Sequence, residues 1–271
     1  MCGFVGSLGA QASNLDIIRK MTSTLNHRGP DSSSCWIDNE ANFSLGHTRL
    51  AIQDVSSKGS QPMHSHSERY VIAFNGEIYN HLELRKNLSN INWNGRSDTE
   101  TLLAVIEHLG VHKALSNFNG MFAFALWDKK NKILTLARDR VGEKPLYYGW
   151  QDETFLFGSE LKSIKCHPSF KNEINEDAIS TFHRFSYIPS PLTIYKGISK
   201  LKAGSYVDIS IANKKMNFEN YWSLSSILKD KKNKNMLNEK EQIDEFENIL
   251  NSSINSQKLS DVPIGAFLSG G

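Results

Sequence analysis

The feature that most constrains the fold of this chain is a series of short, strand-like apolar runs separated by turn residues. These runs are CGFVGSL, SSCWID, FSLGHTRLAI, YVIAFN, MFAFALWD, KILTLARD and PLYYGW. Only a few amphipathic helical stretches interrupt them, among them 13–25 and 97–110. Many short strands with few helices are typical of stacked antiparallel sheets that helices cover on the outside. The pattern therefore predicts an α+β fold.

The composition of the 271-residue chain is that of a soluble, folded protein. Apolar residues make up 39% and charged residues 22% of it, and the net charge is only +2, so we expect no nucleic-acid partner. Three widely spaced cysteines form neither a disulfide framework nor a CxxC metal site. The N-terminus lacks the basic region of a signal peptide, and no apolar run is long enough to span a bilayer. We therefore expect no membrane partner and a cytoplasmic location.

The amino-acid composition of the chain changes in its last quarter. A polar stretch rich in lysine and asparagine, KDKKNKNMLNEK, is typical of a linker. It is followed by EKEQIDEFENILNSSI, whose apolar residues recur at helical spacing, and by the strand-like run VPIGAFLSGG. A helix, a strand and a glycine turn in this order are typical of the start of an α/β domain. The sequence thus predicts a first domain over 2–212, an irregular linker over 213–238 and the start of a second domain over 239–271.

The cysteine directly after the initiator methionine is a candidate nucleophile. Methionine is normally removed ahead of a small second residue, which would leave Cys2 at the N-terminus. The free α-amine of such a residue has a pKa of roughly 7.7–8.0, so it can accept a proton near neutral pH. A thiol activated by its own amine needs no histidine partner. The alternative is that Cys2 is simply a residue of a first strand.

Five motifs follow one another in this chain: CGFVG, HRGPD at 27–31, GHTRLAI, FNGEIYNH and SDTE. In this order they resemble the class II glutamine amidotransferases, which are N-terminal-nucleophile hydrolases. The further motifs GMFAFALWD, ARDRVGEKPLYYG, YIPSPLTIYKGI and the final LSGG resemble glutamine-hydrolysing asparagine synthetases in particular. The resemblance implies an αββα sandwich of two stacked antiparallel sheets flanked by helices. After it would come the opening helix and strand of an α/β ATP-pyrophosphatase domain.

The resemblance assigns the glutaminase chemistry to three residues. The Cys2 thiolate would attack the side-chain amide of L-glutamine, release ammonia and form a thioester that water hydrolyses to glutamate. The Asn75 side chain and the Gly76 backbone N–H would stabilise the oxyanion of the tetrahedral intermediate, where each fixed donor is worth about 3–4 kcal/mol. The alternative for Asn75-Gly76 is an ordinary turn after the strand YVIAF.

The same resemblance implies a pocket for the two charges of free glutamine. Arg49 would pair with the α-carboxylate, because a guanidinium can bind a carboxylate through two hydrogen bonds. Asp98, with help from Glu77, would pair with the α-ammonium. The alternative for Asp98 is an acid that the dipole at the start of a helix favours. The backbone that would line the rest of the pocket is that of Leu50, Ala51, Ile52 and Gln53.

Other reactive residues are given supporting roles. The HRGPD motif is interpreted as a scaffold for the cysteine strand. His47 is interpreted as structural, since an N-terminal nucleophile needs no histidine base. Cys35 and Cys166 belong to no motif and are interpreted as small packing residues. No metal site is predicted in this part of the protein.

The resemblance also implies a second site in the full-length family, where ATP and Mg²⁺ activate aspartate for attack by ammonia. Its pyrophosphate loop has the pattern SGGxDS, whose glycines let backbone N–H groups approach phosphate. This sequence matches the loop with Ser269, Gly270 and Gly271, and Phe267 would lie beside the adenine. We therefore expect the chain to stop inside an ATP-binding loop. Alone it would provide only the glutaminase half, which needs no cofactor.

The leading hypothesis is an asparagine synthase (glutamine-hydrolysing), an ATP-dependent carbon–nitrogen ligase with glutamine as amido donor and aspartate as acceptor. One alternative acceptor is another carboxylate, such as a sugar acid of a surface polysaccharide. A glutaminase that feeds a sugar-phosphate or phosphoribosyl partner is a second alternative, against which the LSGG terminus argues. A third is a non-catalytic remnant of the same fold that acts as an interaction module. The sequence leaves a homodimer open.

Overall fold

The computed structural model describes residues 1–88, 91–211, 213–230 and 238–268. Twelve strands lie in these ranges: β1 (Gly3–Gly9), β2 (Ser32–Asp38), β3 (Phe43–Arg49), β4 (Met63–His64), β5 (Tyr70–Ile78), β6 (Gly120–Asp128), β7 (Ile133–Arg138), β8 (Tyr147–Gln151), β9 (Thr154–Gly158), β10 (Ser199–Lys200), β11 (Ser205–Ser210) and β12 (Met216–Asn220). The α-helices are α1 (Leu15–Ser23), α2 (His81–Lys86), α3 (Asp98–Leu109), α4 (Val111–Asn117), α5 (Leu161–Ile164), α6 (Glu176–Phe185), α7 (Leu224–Asp230) and α8 (Glu239–Ser256). None of these described helices is long and apolar enough to cross a membrane.

The strands form two antiparallel sheets of six strands each. Their strand orders are β10-β8-β9-β1-β3-β2 and β12-β11-β7-β6-β5-β4. The sheets are stacked, and apolar side chains fill the space between them; the rings of Phe43 and Trp127 stack there with centroids 4.5 Å apart. Every second side chain of a strand points into this core, as Phe4 and Leu8 of β1 do, because side chains alternate between the two faces of a sheet.

Helices cover the outer face of each sheet. On the first sheet, Ile18 of α1 packs in one cluster with Val5 of β1. On the second sheet, Leu102 of α3 and Leu115 of α4 pack in one cluster with Phe124 of β6. The layers therefore run helix, sheet, sheet, helix, which confirms the predicted α+β sandwich of stacked antiparallel sheets.

In secondary structure, one alternative is not observed and one prediction is wrong in part. Asn75 and Gly76 lie inside β5 and not in a turn, because β6 pairs with β5 along its whole length as far as Ile78 opposite Gly120. The segment 213–238, predicted to be irregular, contains β12, which pairs with β11, and also α7. The part of that segment over 231–237 lies outside the described residues.

The end of the chain also differs in part. The helix predicted after the linker is present as α8, but none of its side chains is buried. The run predicted as an apolar strand has no strand over the described residues 262–268, and the Ile264 and Leu268 side chains are exposed. A strand needs a neighbour for its backbone hydrogen bonds, and no described strand pairs with this run.

Candidate active site

A pocket of about 110 Å³ lies where the start of β1, the end of β3, the last residues of β5 and the start of α3 come together. Pairing of β1 with β3 joins two of these segments within one sheet, and β5 brings the third from the other sheet. The pocket is lined by Met1, Cys2, Arg49, Leu50, Ile52, Gln53, Gly59, Gln61, Phe74, Asn75, Gly76, Glu77, Ser97, Asp98, Thr99, Met121 and Lys144.

Cys2 immediately precedes β1, and contacts on two sides fix it. The Leu50 N–H donates to the Cys2 sulfur with an N···Sγ distance of 3.4 Å. On the backbone side, Arg28 Nε donates to the Cys2 carbonyl oxygen at 2.9 Å. Glu160 in turn pairs with Arg28 at 3.0 Å. Both the side chain and the main chain of the candidate nucleophile are therefore held in place.

The thiol of Cys2 needs a base to become a nucleophile. Burial raises the pKa of this thiol, and the Leu50 N–H and the nearby chain N-terminus offset the effect only in part. At neutral pH the sulfur therefore carries its proton. Met1, which carries the α-amine of the chain, lines the same pocket, and burial lowers the pKa of that amine. An amine that can accept a proton thus lies close to the thiol.

The side-chain amide of Asn75 lacks partners in the pocket. Both its Oδ1 and its Nδ2 atoms are buried and have no hydrogen-bond partner among the described residues. A buried polar group left unpaired costs about 1–3 kcal/mol, and native proteins contain few of them. A bound ligand could therefore supply the hydrogen-bond partners that the Asn75 amide lacks.

The backbone of β5 places a second donor beside this amide. Phe74 donates its N–H to Gln61 Oε1 at 2.6 Å. Ile78 donates its N–H to Asp98 Oδ2 at 2.9 Å. Successive N–H groups of a strand point to opposite edges, so the N–H of Gly76, midway between these two, points to the same edge as they do. That edge faces the pocket, which Gly76 lines.

Arg49 ends β3 and is buried, with 7% of its surface exposed. Its guanidinium donates to the carbonyl oxygens of Ser56 at 2.7 Å and Gln53 at 3.4 Å, and also to that of Asp54. A guanidinium has five N–H donors, so three of them hold the loop 50–56 and two remain for a ligand as far as the described residues show. The residue predicted to anchor a carboxylate therefore also shapes the wall of the pocket.

Two acids line the pocket: Asp98 at the start of α3 and Glu77 in β5. Asp98 is only 6% exposed, and burial raises the pKa of its carboxyl to about 7, although the Ile78 N–H lowers it; the charge of Glu77 raises it further. Burial also raises the pKa of Glu77, which nearby Lys144 partly offsets. A cationic ligand group at this place would let both acids ionise.

Residues of the HRGPD motif and His47 support the pocket from outside. Asp31 Oδ2 accepts the Ala51 N–H at 2.7 Å. His47 Nε2 donates to the Phe74 carbonyl oxygen at 3.1 Å and so links β3 of one sheet to β5 of the other. Burial lowers the pKa of His47 to about 4. It is therefore neutral near pH 7, and its contacts fit a structural role.

The structure brings together most of the residues that the sequence assigned to the glutaminase site. Ala51 is the exception, because it does not line the pocket and its N–H donates to Asp31 instead. Phe267 lies outside the pocket, and its side chain is fully exposed. The remaining predicted nucleotide-binding residues, Ser269, Gly270 and Gly271, lie outside the described residues.

Four polar residues of the pocket were not predicted from the sequence: Gln61, Ser97, Thr99 and Lys144. Gln61 Nε2 donates to Thr99 Oγ1 at 3.2 Å. Lys144 is only 5% exposed, and its Nζ lies 3.4 Å from Met1 Sδ. Ser97 and Thr99 belong to the motif SDTE and Lys144 to ARDRVGEKPLYYG, and these motifs could have pointed to them. Gln61 belongs to no such motif.

Comparisons with known proteins identify the family to which the chain belongs. Residues 1–222 match the family model of the glutamine amidotransferase domain. Asparagine synthetase (glutamine-hydrolyzing) 1 of Bacillus subtilis is 37% identical, over 100% of this chain and 42% of its own. A Methanocaldococcus jannaschii protein with the provisional name asparagine synthetase (glutamine-hydrolyzing) 2 is 37% identical, over 100% of this chain and 55% of its own. The chain spans about half the length of these relatives.

The fold also occurs in a solved structure. Glutamine phosphoribosylpyrophosphate amidotransferase from Bacillus subtilis, complexed with ADP and GMP, matches 82% of this chain and 49% of its own with a TM-score of 0.57 at 19% identity. At this identity the likeness concerns the fold, in which two antiparallel sheets are stacked between helices. The chain therefore belongs to the glutamine amidotransferase domain family, and among its relatives are glutamine-hydrolysing asparagine synthetases.

Proposed function

We propose that this chain hydrolyses L-glutamine to glutamate and ammonia, with Cys2 as the nucleophile and without a cofactor. One observation carries the proposal: the buried amide of Asn75, without a partner among the described residues, lies in the same pocket as the Cys2 thiol. An oxyanion formed by attack of the sulfur would supply the acceptor that the Asn75 Nδ2 group lacks.

The proposed reaction begins with removal of Met1, which gives Cys2 the α-amine. The amine takes the thiol proton, and the thiolate forms a bond to the amide carbon of glutamine. The carbonyl electron pair moves onto oxygen, where Asn75 Nδ2 and the Gly76 N–H donate hydrogen bonds. The oxyanion then collapses, the C–N bond breaks, and the protonated amine gives its proton to the departing ammonia. Water attacks the thioester in the same way and releases glutamate and the thiol.

Recognition of free glutamine follows from its two charges. Burial in the pocket raises the pKa of both Asp98 and Glu77. An α-ammonium group between them would favour their ionised forms. The remaining donors of Arg49 would bind the α-carboxylate. The site would therefore select an amino acid that carries both charges and reaches Cys2 with its side-chain amide.

We also propose that the ammonia serves an amide-forming ligase. Two relatives carry the name asparagine synthetase (glutamine-hydrolyzing). In this proposal the side-chain carboxylate of aspartate would take the AMP group of ATP with release of pyrophosphate, and ammonia would then displace AMP to give asparagine. Mg²⁺ would neutralise the phosphate charge. Phe267, Ser269, Gly270 and Gly271 would contribute to the ATP site. Another carboxylate, such as a sugar acid, is the alternative acceptor.

The test of the glutaminase proposal is the release of glutamate from glutamine by purified Cys2→Ala and Cys35→Ala variants. Cys35 lies on β2, outside the pocket, with its Sγ atom 3.5 Å from Thr22 Oγ1, and is a matched control. We expect the Cys2→Ala variant to fall to the background rate and the Cys35→Ala variant to keep the wild-type rate. Glutamate release at the wild-type rate by the Cys2→Ala variant would overturn the proposed mechanism.

A further inference from the structure

A short segment after α8 is bound to the loop that lines the glutamine pocket. Asp261 donates its N–H to the Ile52 carbonyl oxygen at 2.9 Å. In the other direction, Asp54 donates its N–H to Asp261 Oδ2 at 2.8 Å. Gln53 Nε2 adds a third contact, to the Leu259 carbonyl oxygen at 3.4 Å. The segment 259–261 therefore binds three consecutive residues of the loop.

The same loop also lines the pocket. Ile52 and Gln53 line it, and the Arg49 guanidinium binds the carbonyl oxygens of Gln53 and Asp54. The loop 50–56 is thus bound both by the Arg49 guanidinium and by the segment 259–261. A displacement of either partner would move the backbone that faces the ligand.

Asp54 is the residue of the loop that most depends on such support. Its φ angle is 51°, in the left-handed region that non-glycine residues seldom adopt. Its carboxylate accepts hydrogen bonds from Ser56 Oγ at 2.5 Å and from the Arg96 N–H at 2.6 Å. The carboxylate of Asp261 accepts a hydrogen bond from the Asp54 backbone N–H. Residues held in sparsely populated conformations persist where the surroundings fix them, and Asp261 is part of those surroundings.

The contacts of the segment contrast with those of the helix before it. No side chain of α8 is buried, and large apolar residues such as Ile243 and Phe246 are more than half exposed, at 58% and 67%. Helix α8 is therefore not packed against the sheets through buried apolar side chains. The hydrogen bonds of 259–261 instead connect α8 to the loop 50–56.

We propose that Asp261 is a positioning residue for glutamine binding, and that the segment 259–261 couples the position of α8 to the glutamine loop. This proposal rests on the proposed glutaminase function for its kinetic readout. It states that the loop adopts its binding conformation when the Asp261 carboxylate holds the Asp54 N–H. Whatever moves α8 would then change the affinity for glutamine without touching the Cys2 chemistry.

The test compares three variants of the full chain: Asp261→Ala, Asp261→Asn, and Asp244→Ala as a control on exposed α8. We expect Asp261→Ala to raise the KM for glutamine about tenfold, the effect of losing one hydrogen bond to a charged group, with kcat within about twofold of the wild type. The Asp261→Asn variant keeps an oxygen acceptor, so we expect it to retain most of the affinity. The Asp244→Ala variant should match the wild type.

Hydrogen–deuterium exchange of the same variants gives a readout that is independent of activity. We expect faster exchange of the backbone amides of 52–56 in the Asp261→Ala variant and unchanged exchange in α3. Unchanged KM and exchange in that variant would overturn the proposal, as would a fall of kcat and thermal stability together with affinity. If the unaltered chain shows no Cys2-dependent glutamate release, the proposed function fails, and the exchange data alone still decide whether Asp261 holds the loop.

Discussion

At the scale of single residues, the pocket contains polar groups whose partners the protein itself does not supply. The Asn75 amide is buried without a partner among the described residues, and the Asp98 carboxyl is buried with a pKa of about 7. Both features cost folding free energy. Sites that bind charged ligands commonly lose stability in this way, so we expect substitutions that remove these groups to stabilise the chain while weakening glutamine binding.

The Asp98→Asn substitution tests this expectation. The carboxyl has its ordinary pKa of 3.8 in the unfolded chain and a pKa of about 7 in the folded one. The folded state therefore binds the proton more tightly, so this group destabilises folding increasingly as pH rises from about 4 to 7. We expect the Asp98→Asn variant to unfold at a higher temperature than the wild type at pH 8, with a gain in unfolding free energy of a few kcal/mol at most.

The pH dependence separates this effect from a general change of packing. The gain in stability of the Asp98→Asn variant should shrink as the pH falls towards 4, and the KM for glutamine should rise strongly because an amide cannot pair with the α-ammonium. Thermal unfolding at pH 5 and pH 8 measures the first effect. An equal stability difference at both pH values would contradict the assignment of a buried, ionisable carboxyl.

How far the site could be predicted differs from residue to residue. Cys2 and Asp98 are placed by local signals, the first by its position after the initiator methionine and the second by the start of a helix. Gln61 comes from a loop without a motif, and only the folded sheet brings its amide to the Phe74 N–H. Asp261 is more than 200 residues from the loop it binds, with a separation of 207 from Asp54. No local pattern encodes such a contact.

At the scale of elements, the site depends on the close pairing of β5 with β6. Gly76 lies opposite Phe122 in this pair. A Cβ atom at Gly76 would lie 2.2 Å from the Met121 carbonyl oxygen, where no atom fits. Glycine is therefore required so that the two strands can stay paired while the Gly76 N–H faces the pocket.

The Gly76→Ala substitution should force β5 and β6 apart at this position. We expect it to lower the unfolding free energy by about 1–3 kcal/mol, as overpacking of a core does, and to abolish glutamate release. Gly265→Ala is the matched control, since nothing lies within 4 Å of a Cβ at Gly265. Chemical denaturation of both variants measures the difference. A Gly76→Ala variant as stable as Gly265→Ala would show that the strands are not as close as described.

Elements were predictable where the pattern is local. The short apolar runs between turn residues predict β1 and β6, and the apolar spacing predicts α8. The Asn75-Gly76 dipeptide is typical of a turn, yet pairing with β6 keeps it in a strand. The run over 262–268 is apolar like a strand, but no described strand pairs with it. Tertiary pairing, which the sequence pattern does not contain, decided both cases.

At the scale of the whole molecule, the apolar cores lie in the sandwich, and the elements after it contribute little. All residues of the three buried clusters precede residue 210. Tyr221 still belongs to the sandwich, because its hydroxyl donates to the Arg138 carbonyl oxygen at 2.8 Å. Beyond it, α7 and α8 expose large apolar side chains such as Leu228 and Ile254. The stability of the chain should therefore come from the part before residue 224.

A chain that ends at Ser223 tests this division. We expect its thermal midpoint to stay within about 4 °C of the full chain, which corresponds to a change of about 1 kcal/mol for a domain of this size. Glutamate release should persist with a raised KM, because the shortened chain lacks Asp261. Differential scanning calorimetry of the two chains is the measurement. A fall of the midpoint by more than about 10 °C would mean that the later elements are part of the cooperative fold.

The proposed mechanism requires Cys2 to be an N-terminal, glutamine-directed nucleophile. It is tested most directly by the intact mass and peptide map of the purified chain, before and after exposure to a diazoketone analogue of glutamine. We expect loss of Met1 and one adduct, located on Cys2 and suppressed by excess glutamine. Retention of Met1 with no adduct on Cys2 would contradict the role of Cys2 as the nucleophile. An adduct on Cys35 or Cys166 that glutamine does not suppress would contradict it too.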